Sequence, residues 1–349
     1  MRPGDQTVRF TQVELTNYHS TGVTGFVGGD FLFCVSNAHP EWELTCLVRG
    51  TEKGAKVAAA YPQARLVYGT TDDVDLIEEE ASKADIVFHS AGSDEHIPSA
   101  EAIVKGLSHR KSNMPAYYIH TSGAFILAAE TVATGKYGER FDTIHDDWDH
   151  IDQLVSFPDY APHRRIDKVV LAADPAKVKT AIVAPSVVYG MGRGPDKTKS
   201  APLFDPFLKQ RKVFVVGKGD NIWHNIHVQD LSRLYLLLAE AAVNDGGNAT
   251  WNQEGYYLAE NGSYVVREML QQACRILHQK GIVKSSEPEF LTLEESKDIL
   301  LWFKIMVGGD SRGIAVRGRK LLGWVPSMPS FEDELENALD IDLRDAGLI

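Results

Sequence analysis

From residue 43 to residue 121 the apolar positions fall in short blocks whose spacing alternates between two periods. Glu43-Leu44-Thr45-Cys46-Leu47-Val48 predicts a strand, and residues 53–61 follow with helical spacing. The alternation continues as strand 65–68, helix 74–83, strand 85–88, helix 99–107 and strand 116–120. A short helix from about Pro162 to Ala173 leads to another apolar strand at 180–184. Strands alternating with helices predict a parallel sheet with right-handed crossovers. Ligands of such sheets bind at the carboxyl ends of the strands, so Ala91, Gly92, Thr121 and Ser122 are expected to face one crevice. Beyond residue 190 the pattern changes to a strand at 213–216, a turn at Gly217-Lys218-Gly219-Asp220, and an apolar helix at 231–243. Helices around 264–278 and 293–302 and a final acidic helix after Ser330 complete it, with Thr292 and Glu295 spaced as a capping box.

The stretch Thr21-Gly22-Val23-Thr24-Gly25-Phe26-Val27-Gly28 sits before the first of these strands. It reads as a phosphate-binding turn. Gly22 turns sharply, Gly25 lets backbone approach a pyrophosphate, and Gly28 lets the next helix pack on the sheet. That helix, beginning around residues 30–35, aims its amides at the anion. The expected fold class is therefore α/β: a Rossmann-type doubly wound parallel sheet with a smaller C-terminal substrate-binding lobe. Residues 1–190 form the dinucleotide-binding core, and residues 191–349 a mixed region with the last strands and the lobe. One irregularity precedes the turn. A central strand is expected to be apolar, yet residues 13–20 alternate and then become polar. Arg49 ends the second strand, where an acidic residue suits the ribose hydroxyl of NAD and arginine suits the 2′-phosphate of NADP. NADP is the expected cofactor, with NAD possible and Lys53 as a further charge.

Composition narrows the partners. A net charge of −12 argues against nucleic acid. No apolar run has the length of a membrane span. Cys34, Cys46 and Cys274 read as reduced thiols of a cytoplasmic protein. The acidic stretch between Ser122 and Pro162 has no fixed ligand spacing and reads as a solvated loop, not a metal site.

Several ordered motifs resemble the extended and atypical short-chain dehydrogenase/reductases, the superfamily of nucleotide-sugar epimerases, dehydratases and dihydroflavonol-type reductases. They are the glycine turn, Ala91-Gly92, Thr121-Ser122, Pro185-Ser186-Val187-Val188-Tyr189-Gly190, the His227-Val228-Gln229-Asp230 helix start, and Leu321-Leu322-Gly323-Trp324-x-Pro326. The resemblance implies cofactor contacts from Thr21, Gly22, Thr24, Gly25, Phe26, Val27, Gly28 and Arg49. It adds Ala91, Gly92, Thr121, Lys168, Pro185 and Val187. It also implies a catalytic serine, matched by Ser122, and a Tyr-x-x-x-Lys pair, which this chain lacks in intact form. In one register Lys168 is the lysine and Arg164 stands four residues before it. In the other Tyr160 is the tyrosine and Arg164 replaces the lysine. His163 is a further candidate acid. Tyr189 and Trp223 are candidates for lining the crevice, and Arg312 and Arg317 for clamping an anionic substrate.

The expected activity is an NADP-dependent oxidoreductase acting on a carbonyl or hydroxyl of a small molecule, as a monomer or homodimer. The broken pair keeps two alternatives open: a cofactor-binding redox sensor with a protein partner, and a nucleotide-sugar epimerase or dehydratase.

Overall fold

The computed structural model describes residues 16–195 and 204–349. Seven parallel strands form its central sheet. The first five are β1 (Asn17–Ser20), β2 (Glu43–Val48), β3 (Arg65–Tyr68), β4 (Ile86–His89) and β5 (Ala116–Thr121). The strands Val178–Pro185 and Tyr256–Ala259 continue the sheet beyond β5, while β1, β2 and β3 run in order on the other side of β4. The chain direction across the sheet therefore reverses between β1 and β4, the switch point at which such sheets bind ligands. Helices α1 (Phe26–Ala38), α2 (Thr51–Ala60), α3 (Val74–Ala81) and α4 (Ile97–Ser108) make the crossovers. Each of these elements lies within a few residues of its sequence reading.

The polar stretch before the glycine turn does form the central strand. Its residues 13–15 lie outside the described residues, but β1 pairs with β2 at Tyr18–Leu44 and with β4 at Tyr18–Ile86. Backbone pairing on both sides holds it, and its side chains fit less well. Tyr18 stacks on Trp42 and meets Phe31 edge-on, each with centroids 6.1 Å apart. Its hydroxyl and both ring nitrogens of buried His19 find no hydrogen-bond partner. Burial pushes the His19 pKa down to about 4, so the ring is neutral. Nearby, Phe31, Phe88 and Tyr235 pack at 4.5 and 4.8 Å and pin α1 and the helix Val228–Val243 to the sheet.

The smaller lobe holds a three-stranded sheet of Val187–Tyr189, Ile222–His227 and Ser263–Val265. The helices Val266–Gln279 and Phe331–Asp345 also belong to it. Ser330 caps the latter by accepting from Asp333 N at 3.2 Å. The structure departs from two expectations of the sequence. The Thr292–Glu295 box is made, with Thr292 N 2.8 Å from Glu295 Oε2, but only turns follow it. The helix starts later, at Leu301–Gly308, because a cap satisfies amides without supplying an apolar face to bury. The acidic stretch is not all solvated loop either. Asp147 is fully buried and accepts from Leu258 N, Val316 N and Arg317 N at 2.7–2.9 Å, fastening the stretch to the lobe. Arg317 is itself buried, donating to Asp147 O and Thr250 Oγ1, and Arg312 donates to Phe141 O. Both arginines brace the fold, so neither is placed as the anion clamp.

Candidate functional site

The turn after β1 begins with Gly22 at φ +78°, and Gly25 N donates to Gly22 O at 2.8 Å. A side chain on Gly22 would strike Ser90. One on Gly28 would strike Ser90 and the Gly22 carbonyl, so α1 packs against the end of β4 only with glycine there. A side chain on Gly25 would meet nothing but the Gly22 carbonyl, at 3.2 Å, because that face is open. The open side is a cleft of about 740 Å³. No side chain caps α1, and its first turn carries no acidic residue, so its amides and dipole are left for an anion in the cleft. The cleft therefore fits a dinucleotide's pyrophosphate.

Gly22, Thr24, Gly25, Phe26, Val27 and Gly28 line it, together with Arg49, Ala91, Gly92 and Val187. Arg49 is exposed at the end of β2, near Gly69, Thr70 and Thr71 on the same wall. Three of the other expected contacts are placed differently. Thr21 is buried, its Oγ1 accepting from Ser90 N and Ala91 N at 3.2 and 3.3 Å, so it ties β1 to the turn after β4. Thr121 Oγ1 meets Tyr235 Oη at 2.9 Å inside the core. Pro185 lines a neighbouring cavity. Ser90, from the small-residue stretch after β4, lines the cleft as well, and Phe125, Trp302 and Met306 join it from segments with no motif.

The neighbouring cavity, of about 610 Å³, shares Phe125, Ser186, Val187 and Trp302 with the cleft. Tyr160, His163, Trp223, Asp94 and Glu95 stand on its walls. Tyr160 is more than half exposed and precedes the helix Arg164–Leu171. His163 sits at the start of that helix with φ +63°, its Nε2 against Gly123. Burial lowers its pKa and keeps the ring neutral near pH 7.

Lys168 is not at the cleft. Its Nζ binds Asp159 Oδ1 at 2.8 Å on the surface, because residue 168 falls on the outward face of the helix. The inward residue is Asp167, one helical turn after His163 and fully buried. Ser122 Oγ and Tyr256 Oη both donate to Asp167 Oδ2, at 3.0 and 2.9 Å. The Ser122 hydroxyl is thus turned into the protein and does not line either cavity. Arg164 lines neither cavity, and its Nε and Nη1 are buried without partners. Neither expected register is assembled at the cavity. The pair that faces inward, four residues apart, is His163 and Asp167.

A buried chain of polar groups runs on from Asp167. His89 Nε2 lies 3.0 Å from Ala91 O and must donate to it, so His89 Nδ1 accepts from Tyr118 Oη at 2.8 Å. Tyr118 then has its oxygen free to accept from His120 Nδ1, 3.1 Å away. His120 Nε2 faces Asp167 Oδ1 at 3.8 Å. Burial pushes the Asp167 pKa up to about 7, against the pull of the Tyr256 and Ser122 hydrogen bonds. A lone Asp inside an HRRID sequence carries no signal of such a role beyond its place one turn after a helix-start histidine.

Residues 21–252 match the family model described as NAD dependent epimerase/dehydratase. The chain is a member of the NAD dependent epimerase/dehydratase family. A curated relative of this family member is Oxidase ucsJ of an Acremonium species, 30% identical over 342 residues, covering 94% of this chain and 98% of the relative. Among solved structures, dTDP-glucose 4,6-dehydratase DesIV of Streptomyces venezuelae, with NAD and TYD bound, has a TM-score of 0.64. It is 18% identical, and the match covers 95% of this chain and 97% of that one. UDP-glucose 4-epimerase of Thermotoga maritima, with UDP-glucose, has a TM-score of 0.60 at 14% identity, covering 95% and 100%. These two likenesses establish a shared fold. No described helix is long and apolar enough to cross a membrane.

Proposed function

We propose that this family member is an NADP-dependent oxidoreductase that interconverts a carbinol and a carbonyl of a small molecule. The observation that carries the reading is the shared wall between the dinucleotide cleft and the His163 cavity. A substrate in the cavity lies beside the reactive end of a cofactor in the cleft. The bound cofactor supplies hydride acceptance or donation. Arg49, exposed at the cleft and with no ion-pair partner among the described residues, supports the preference for a 2′-phosphate.

His163 handles the proton. A histidine held neutral near pH 7 accepts the carbinol proton as the substrate is oxidised, and in the reverse direction it returns that proton to the carbonyl oxygen. The helix start fixes its position, and Asp167, Ser122 and Tyr256 anchor the helix one turn on. Tyr160, the alternative donor, is more than half exposed, so water competes for it. The test is a variant pair assayed with NADPH binding monitored in parallel. His163→Ala is expected to lower turnover at least about 100-fold with NADPH binding retained, and Tyr160→Phe to lower it less than about 10-fold. The reverse order assigns the proton to Tyr160.

A second reading is favoured by the placement of Lys168 on the surface. Among the described residues no ammonium stands beside Ser122 to support a tyrosine acid, as a cofactor-binding sensor without turnover would allow. Tight NADPH binding with no turnover of any carbinol or ketone supports that reading instead.

A further inference from the structure

We infer that the cavity beside the dinucleotide cleft takes an apolar ketone or carbinol without any anionic group, and excludes nucleotide sugars. This rests on the oxidoreductase reading and narrows its substrate class. The apolar part of the lining includes Val132, Phe125, Trp223, Leu301, Trp302 and Ile305, with Phe125 and Trp223 edge to face at 5.2 Å. Such walls offer flat and branched apolar surface to a ring or alkyl chain.

The polar groups present are the wrong ones for a phosphate. Among the described lining residues there is no lysine or arginine, while Asp94 and Glu95 stand exposed at the edge. A diphosphate entering a site of low polarity needs charge-assisted donors, and two carboxylates raise its cost instead. The arginines that the sequence offered as a clamp are committed elsewhere. Arg312 Nη1 binds Phe141 O at 2.7 Å, and Arg317 is buried over the Trp148 ring. His163, the remaining base on the wall, is neutral and so adds no anion attraction.

The mouth points the same way. Leu300, Leu301 and Trp302 leave 67%, 61% and 47% of their surface exposed, side by side where cavity and cleft meet. Covering that apolar surface favours a ligand in proportion to its own apolar area, and an uncharged substrate contributes most.

The test uses the full chain saturated with NADP⁺, a state in which ketones bind without turnover. Three probes are titrated by calorimetry: 4-phenyl-2-butanone, its keto-acid counterpart 4-phenyl-2-oxobutanoate, and UDP-glucose. The neutral ketone is expected to bind at least about 10-fold tighter than the keto acid, with no binding of UDP-glucose. Leu300→Ser/Leu301→Ser, at exposed positions, should weaken the neutral ketone about 10-fold. Asp94→Lys/Glu95→Lys should narrow the gap between the two ketones by about the same factor. The inference is overturned if the keto acid or UDP-glucose binds as tightly as the neutral ketone, or if none of the three binds to the NADP⁺-loaded protein. Failure to bind NADP⁺ at all is a different result, because it overturns the oxidoreductase reading itself.

Discussion

The two corners of the crevice are built on different principles. At the carboxyl end of β1, backbone does the work. Gly22, Gly25 and Gly28 are where a turn, an open approach and a helix contact demand glycine, and the α1 amides are left uncapped beside them. At the carboxyl end of β5, side chains do the work, and here the chain departs from the pattern its family suggests. Ser122 turns inward to Asp167, Lys168 turns outward to Asp159, and His163 occupies the cavity wall. A binding site made from backbone tolerates little change in sequence and is read easily from it. A site made from side chains keeps its geometry while its chemistry changes, and must be read from contacts.

The sharpest way to break this contrast is at the backbone corner. Gly25→Asp places a side chain and a negative charge in the open face of the turn. NADPH binding should be lost, at least about 100-fold, while the thermal transition stays close to that of the parent protein. Intact affinity in a fluorescence titration would make the turn merely structural.

The next largest effect belongs to the side-chain corner. Fold and burial raise the Asp167 pKa from 3.8 to about 7, so the native state holds a proton that the unfolded chain releases. The contribution of this group to stability therefore falls as pH rises between those two values, by up to about 4 kcal/mol, and is level above pH 7. Asp167→Asn removes that loss. Urea unfolding should find the variant gaining several kcal/mol on the parent between pH 4.5 and pH 8. A difference independent of pH would mean that Asp167 is ionised at its site throughout.

Arg49→Asp sharpens the comparison from the other side, since it is a side-chain choice made at the backbone corner. Losing a charge-assisted contact should cost NADPH about 1.5–3 kcal/mol of binding, roughly 10- to 100-fold, with little loss for NADH. Equal losses for both cofactors, measured by paired titrations, would remove Arg49 from cofactor choice.

The smallest effect concerns β1. His19→Val replaces a buried imidazole with two unpartnered nitrogens by an apolar strand former. The variant should be more stable by about 1–3 kcal/mol at pH 7, and by more as pH falls. The sign follows from the pKa: it drops to about 4 in the fold from 6.5, so the unfolded chain gains protons first on acidification. Equal urea midpoints at pH 7 and pH 5 would show that His19 finds compensation in the fold.

What the sequence by itself determined follows from local and periodic physics. Alternating strand and helix periods set the parallel sheet and its crossovers, and the spacing of three glycines set the phosphate turn. Those signals are written in consecutive residues, so β2 to β5 and their helices were legible. Three matters were decided by tertiary structure. The polar residues of β1 became a central strand because β2 and β4 supply partners for its backbone on both sides, whatever its side chains prefer. Asp147, read as part of a solvated loop, is buried because a strand and a helix start more than 100 residues away present amides to it, and Arg317, offered as an anion clamp, is buried because it donates to Asp147 O and Thr250 Oγ1. The inward residue of the helix Arg164–Leu171 is Asp167 and not Lys168, because 100° per residue separates one face from the next and only the packing of that helix on Ser122 and Tyr256 says which face is inside.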